Sequence, residues 1–207
     1  MTESQFKVKV IPTKEEYARL VDVLWSANFN PYNPICTTVH LITGHTPSDR
    51  ARDKALDTKI WWNASANNPY SHLIYVLDKE TSHVAGGCEC FIFCENPFPN
   101  GPQPIKCTWY PDGSKRKEYA ECMLSQASFL RQSWFQRPHA GVNAMGVHPE
   151  LRRRGFGRLL EGGHARIDPL GYESFIERSP ADGGFMRSMG IGELWGSAWD
   201  FVALEAA

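Results

Sequence analysis

The chain contains no apolar run of the ~20 residues that a membrane-spanning helix requires, and it carries no excess of charge of either sign. Across 207 residues, 22 Lys and Arg face 23 Asp and Glu, for a net charge of −1. That balance provides no global field for nucleic acid or an anionic membrane, so neither is expected as a partner. The opening residues Met1-Thr2-Glu3-Ser4-Gln5 lack the basic-then-apolar pattern of a secretory leader, and a cytoplasmic location is the expectation. Cysteine is sparse: six residues in a chain of this length do not make a disulfide scaffold. Cys88, Cys90 and Cys94 share the parity of one strand. However, no C-x-x-C pair or neighbouring histidine completes a zinc site, so they read as small buried residues and no metal is expected. Internal repeats and low-complexity segments are also missing. The length therefore suits one domain, residues 1–207, with a sizeable core.

What is present is an ordered set of local patterns. Phe6-Lys7-Val8-Lys9-Val10-Ile11 alternates as a half-buried strand, and Thr13-Lys14-Glu15-Glu16 reads as a capping box opening a helix. Asn28 to Pro34 breaks that helix, and a second is expected from about Pro47 to Trp62, charged early and aromatic late. His72 to Asp78 and Val84 to Cys94 form a hairpin across the polar turn Lys79 to His83. The Pro-, Gly- and Asn-rich stretch Glu95 to Gly113 is a long loop, followed by a helix over Lys115 to Phe135. Such an insertion between strands is expected to border a site. Beyond it come a strand at Val142 to Val147, a helix at Gly155 to Ile167, a short strand at Ser174 to Glu177, a short helix at Ala181 to Met189 and a final strand or hairpin at Trp195 to Leu204. Hairpins first and a β-α-β unit later predict an α+β domain with one mixed sheet flanked by helices.

The segment with the most chemistry is Val147-His148-Pro149-Glu150-Leu151-Arg152-Arg153-Arg154-Gly155-Phe156-Gly157-Arg158. It reads as a strand end, a tight turn and a Gly-x-Gly run opening a helix. That arrangement aims several backbone N–H groups and the positive end of a helix dipole at one spot, where a pyrophosphate would be held. Gly155 and Gly157 let the backbone approach the ligand because no Cβ intervenes. No Gly-Lys-Ser/Thr follows and a third glycine is missing, so the run is neither a P-loop nor a dinucleotide fingerprint. A nucleic-acid patch on Arg152, Arg153 and Arg154 would leave Pro149 and both glycines without a role.

Asn143-Ala144-Met145-Gly146-Val147-His148-Pro149 followed by Arg152-Arg153-Arg154-Gly155-Phe156-Gly157 resembles motif A of the GNAT superfamily of N-acetyltransferases. Glu177-Arg178-Ser179-Pro180-Ala181, with Phe185-Met186-Arg187-Ser188-Met189-Gly190-Ile191 after it, looks like that family's E-A-S-P-x-G…L-Y-E-K-L-G-F segment at fitting spacing. The resemblance spans most of the chain and is specific in its C-terminal third. Within the family it is similar to the fungal small-molecule type and to puromycin N-acetyltransferase. It implies a mostly antiparallel central sheet flanked by helices, with the loop-helix insertion placed before the motif A strand. It also implies acetyl-coenzyme A as cosubstrate, a small-molecule amine as acceptor, and a monomer or homodimer. By the same resemblance, main-chain groups at Met145, Gly146 and Val147 would pair with the pantetheine arm. Arg152, Arg153, Arg154, Gly155, Phe156, Gly157 and Arg158 would hold the pyrophosphate. A bulge where the motif A strand leaves the Ser174 strand would admit the acetyl thioester.

The pattern departs from the family at its proton-transfer groups. Met186 stands where many relatives carry a tyrosine acid, and Gly141 where some carry a strand glutamate. His139 shares the face of Gly141 by parity and has a suitable unperturbed pKa, Asn143 on that face would orient, and Glu89 is the one acid inside the long hairpin strand. His148 reads as a solvated turn residue. Trp61, Trp62, Tyr75, Trp109 and Trp134 either belong to the core or line an acceptor pocket, which would then suit an apolar or aromatic amine. A protein or peptide N-terminus as acceptor would instead need an open groove, and an acyl-CoA-binding domain without turnover would fit the loss of the tyrosine.

Overall fold

Apolar residues on both faces of the hairpin strands dictate a sheet covered on two sides. The computed structural model, which describes residues 5–29, 36–153, 168–178 and 200–204, has that sheet. Strand β1 (Phe6–Val10) is followed by helices α1 (Lys14–Phe29), α2 (Cys36–Val39) and α3 (Pro47–Ala66), then strands β2 (Ser71–Asp78) and β3 (Val84–Phe93). Helix α4 (Lys115–Trp134) follows the long loop and leads into β4 (His139–Val147), with β5 (Glu173–Arg178) and β6 (Asp200–Leu204) after it. Among the described residues the sheet runs β1-β2-β3-β4-β5-β6 in space, and only the β4–β5 pair is parallel. This is the mixed, mostly antiparallel sheet expected. The motif A helix (155–167), the short helix (181–189) and residues 195–199 lie outside the described residues.

Two faces of β2 build two cores. Leu73 and Tyr75 pack with Leu20, Val21, Leu24 and Trp25 of α1, while Ile74 and Val76 pack on the opposite side with Ala85 and Cys88. Helix α1 sits directly on the sheet because two glycines face each other there in register, Gly87 opposite Gly146. A Cβ on Gly87 would meet Leu20 Cδ1 at 2.7 Å and Ile74 O at 2.6 Å, and one on Gly146 would meet Ala27 Cβ and Leu24 Cδ2 at 3.1 Å. The hairpin turn is an Asx turn in which Asp78 Oδ1 accepts from the N–H groups of Glu80 and Thr81 at 2.9 and 3.0 Å.

Several local readings need adjustment. Only half of the Thr13 box forms: Thr13 Oγ1 accepts from Glu16 N at 3.3 Å, while Glu16 Oε1 lies 3.5 Å from Lys9 Nζ. The complete capping box opens α3, where Thr46 and Asp49 satisfy each other's backbone N–H groups beside Pro47 at the first helical position. Helix α3 runs on to Ala66, a turn beyond Trp62, and that extra turn carries the buried Ser65. Strand β4 begins at His139, three residues before Val142. Helix α2, a single turn, was not anticipated. No helix of the described residues is long and apolar enough to cross a membrane.

Candidate active site

Strands β4 and β5 run side by side from His139↔Glu173 to Val142↔Ile176 and then part. Both continue, β4 to Val147 and β5 to Arg178, so the β5-facing edge of Asn143 to Val147 has no strand partner among the described residues. At the same point β4 bulges. Glu89 of β3 faces Ala144 and Cys90 faces Val142, which leaves Asn143 as the extra residue. The bulge turns Asn143 outward into solvent on the face that holds α1 and α3.

Beneath Asn143 lies Glu89, only 6% exposed. Its Oε1 accepts from the hydroxyls of Ser65 (2.5 Å) and Ser71 (2.7 Å), and its Oε2 accepts from Asn143 Nδ2 at 2.8 Å. A buried carboxylate is tolerable only when hydrogen-bonded, and here the last turn of α3, the start of β2 and the β4 bulge each contribute one donor. Burial, reinforced by the Glu89 and Asp57 carboxylates, pushes the Tyr17 hydroxyl pKa far above its usual value. Asp57 itself is buried, accepts from Trp25 Nε1 at 2.8 Å and lies 2.6 Å from His40 Nδ1. Asp53, Asp57, Trp61 and Ser65 recur every fourth residue, a spacing that marks one face of a helix and would have singled them out together.

His139 is placed elsewhere. It pairs with Phe93, four residues along β3 from Glu89, or ~13 Å at the usual strand rise. The side chain is fully buried among the rings of Phe93, Phe98, Phe135 and Phe175 at centroid distances of 5.0 to 6.3 Å. Its Nδ1 lies 2.7 Å from Arg137 O, so Nδ1 carries the proton, and Nε2 has no hydrogen-bond partner. Burial lowers its pKa below the usual imidazole value. The geometry thus brings Glu89 and Asn143 together and leaves His139 in a closed aromatic box.

The cofactor-side residues divide. Met145 faces the second core beside Cys88, and Gly146 lies under α1. The Arg152 guanidinium turns inward, with Nη2 on Ala27 O at 2.7 Å and Nε on Val147 O at 3.4 Å. It thereby ties the turn to the negative end of the α1 dipole instead of presenting its charge to a ligand. Arg153 adopts φ +63°, a left-handed conformation uncommon for a side chain other than glycine, and turns the chain sharply where the Gly-x-Gly run begins. Arg154, Gly155, Phe156, Gly157, Arg158 and Met186 lie outside the described residues. Cys88 and Cys90 contact each other, Sγ to Sγ 3.4 Å, and Cys94 lies past the strand end. Among the described residues no group of three or more His, Cys, Asp or Glu is placed to hold a metal ion.

The aromatic residues also separate. Tyr75 is core and Trp134 is exposed; Trp61 and Trp62 are half-buried against the Tyr75 core, and Trp61 also meets Trp109 of the insertion at 5.1 Å between ring centroids while Trp62 meets Tyr17 at 5.7 Å. The insertion is fastened to the segment around α2 by main-chain acceptors. Trp109 Nε1 donates to Thr38 O, Tyr110 Oη to Thr37 O and His40 O, and Arg116 Nη1 to Ile42 O.

No protein-family model matches the sequence, nor does any curated protein sequence. Solved structures do match the fold. An acetyltransferase from Corynebacterium glutamicum described as histone acetyltransferase HPA2 and related superposes with a TM-score of 0.60 at 14% identity, covering 99% of this chain and 98% of its own. A putative acetyltransferase of the GNAT family from Desulfovibrio desulfuricans gives 0.52 at 13% identity, over 98% and 99%. The polyamine N-acetyltransferase of Drosophila melanogaster gives 0.58 at 16% identity, over 97% and 99%. The chain is therefore similar in fold to acetyltransferases of the GNAT family.

Proposed function

We propose that the protein is an acetyl-CoA-dependent N-acetyltransferase that moves the acetyl group onto a small-molecule amine by direct attack, without a covalent enzyme intermediate. The observation that carries this reading is the parting of β4 from β5 with an outward bulge at Asn143, directly above the buried carboxylate of Glu89. The free edge at Met145 and Val147 suits an extended pantetheine arm, which would add to the sheet as a strand. By its sequence the Gly-x-Gly run at Gly155 and Gly157 suits the pyrophosphate, and Arg152 fastens the chain that leads into it to α1.

Acetyl-CoA supplies the activated thioester; the chain supplies orientation and a proton acceptor. Asn143, exposed above Glu89, positions the incoming amine. Glu89 takes the proton from the amine nitrogen as the C–N bond forms and the C–S bond breaks. Its Ser65, Ser71 and Asn143 donors keep it in one place. No side chain is assigned to the leaving thiolate, which is a tolerable leaving group at the pKa of a free thiol. His139 serves as part of the aromatic wall behind the site rather than as a base.

Calorimetry with acetyl-CoA and with free CoA, then thiol release over an amine panel, tests the reading. Micromolar CoA binding that Gly155→Glu or Gly157→Glu abolishes is expected, with thiol release on at least one primary amine. Absence of CoA binding refutes it. A second reading, an acyl-CoA-binding domain without turnover, is favoured by Met186 at the usual tyrosine position, and CoA binding without thiol release on any amine would support it.

A further inference from the structure

We infer that the acceptor is a monoamine carrying an aromatic or large apolar group, which packs on the Trp61–Trp109 pair while its amine meets Glu89; this inference rests on the proposed acetyltransfer at that site. Trp61 lies one helical turn before Ser65 on the same side of α3, so their Cβ atoms are ~5–6 Å apart, and Ser65 is bonded to Glu89. Trp109 closes on Trp61 from the insertion, with the rings tilted by 48°, and both remain half-buried. Hydrogen bonds from Trp109, Tyr110 and Arg116 to the carbonyls of Thr37, Thr38, His40 and Ile42 fix this wall in place. An aromatic pair held at a set angle offers both faces and edges to an apolar group, and such contacts favour ring-bearing ligands.

Charge argues the same way. A polyamine needs a second carboxylate for its distal ammonium, and among the described residues Asp53, Asp57 and Asp78 are engaged away from the bulge. Asp53 accepts from Thr43 N and Thr43 Oγ1, at 2.7 and 2.6 Å, and Asp57 accepts from Trp25 beside His40. Asp78 is held in the hairpin turn. Among the described side chains Glu89 is the carboxylate bonded to the bulge residue, which gives a cationic position next to an apolar wall.

The test follows thiol release by the full chain at saturating acetyl-CoA with 2-phenylethylamine, propylamine, agmatine and spermidine. 2-Phenylethylamine is expected to show the lowest KM. Trp109→Leu and Trp61→Leu should each raise that KM about tenfold, well beyond any change in the KM for propylamine. Trp109→Phe should restore most of the loss, which separates ring packing from a folding defect. A preference for agmatine or spermidine, or an equal loss on propylamine, overturns the inference. If CoA binds but no amine releases thiol, tryptophan fluorescence of the CoA complex titrated with 2-phenylethylamine decides. Saturable quenching weakened by Trp109→Leu supports the inference, and no saturable quenching overturns it while leaving the CoA site intact. Failure to bind CoA overturns the acetyltransferase reading, and the inference with it.

Discussion

Glu89 and His139 are both buried titratable groups on strands that pair with each other, yet they do opposite things. Glu89 is surrounded by hydrogen-bond donors and opens onto solvent through Asn143. His139 has one carbonyl acceptor and four phenyl rings. If Glu89 is the proton acceptor, Glu89→Gln should lower kcat by about 10²- to 10⁴-fold while CoA affinity by calorimetry stays within about twofold. A parallel loss of CoA affinity would mean that the residue supports the cleft and not the chemistry. For His139, burial lowers the folded-state pKa below the 6.5 of the free side chain. In the window between those values the unfolded chain binds the proton and the folded one does not. Stability should therefore rise with pH up to about 6.5 and fall progressively on acidification below it. Urea unfolding at pH 5 and pH 7.5 reads this directly. His139→Phe should shrink the difference between the two pH values, and an unchanged difference would show that another group controls it.

At the scale of elements, the Gly87–Gly146 pair explains how α1 reaches the sheet. Gly87→Ala places a methyl group 2.6 Å from Ile74 O, a backbone atom that cannot swing away, whereas the nearest atoms to one on Gly146, Ala27 Cβ and Leu24 Cδ2, lie at 3.1 Å. Gly87→Ala should cost about 1–3 kcal/mol of stability and Gly146→Ala less, as measured by denaturant midpoints. Reversal of that order would mean α1 is not packed as described. The sequence conveys much of this framework. Alternation and β-branching mark β1, β2 and β3, and turn residues mark the hairpin. Other features leave no periodic trace. Helix α2 is one turn long, below any period. The insertion is attached by side chains that bond to main-chain carbonyls, which any sequence can offer. The spacing of Asp53 and Asp57 puts them on one helix face but does not say that the face is buried; their bonds to Thr43, Trp25 and His40 are what bury it. The Glu89–Asn143 contact depends on a one-residue bulge, which shifts register without any sequence marker of its own. The resemblance to motif A suggested where the strands part, and the bulge identifies which carboxylate lies below.

At the largest scale, the described residues form a sheet whose two halves are joined at one end and open at the other. From β1 to β4 the ladders are antiparallel, with register shifts at Val76/Leu77 and at the Asn143 bulge, β5 pairs with β6, and among the described residues the two sets share His139 to Val142 against Glu173 to Ile176. A cosubstrate lying along β4 as an added strand would complete the missing hydrogen bonds and join the halves. It should therefore stabilise the entire fold, by about 2.7 kcal/mol at a free concentration one hundred times its Kd. The same insertion should protect particular amides from hydrogen exchange. Acetyl-CoA is expected to slow exchange in the peptide covering residues 143–153, whose β5-facing edge is open. Residues 139–142, already laddered on both sides, should change little. Equal slowing throughout β4 would indicate general tightening of the fold. Slowing confined to α3 or the insertion would place the ligand on the acceptor side and contradict the strand-like arrangement. Glu89→Gln provides the control, since it removes the proposed proton acceptor but leaves the open edge: its exchange response to acetyl-CoA should match that of the unaltered chain.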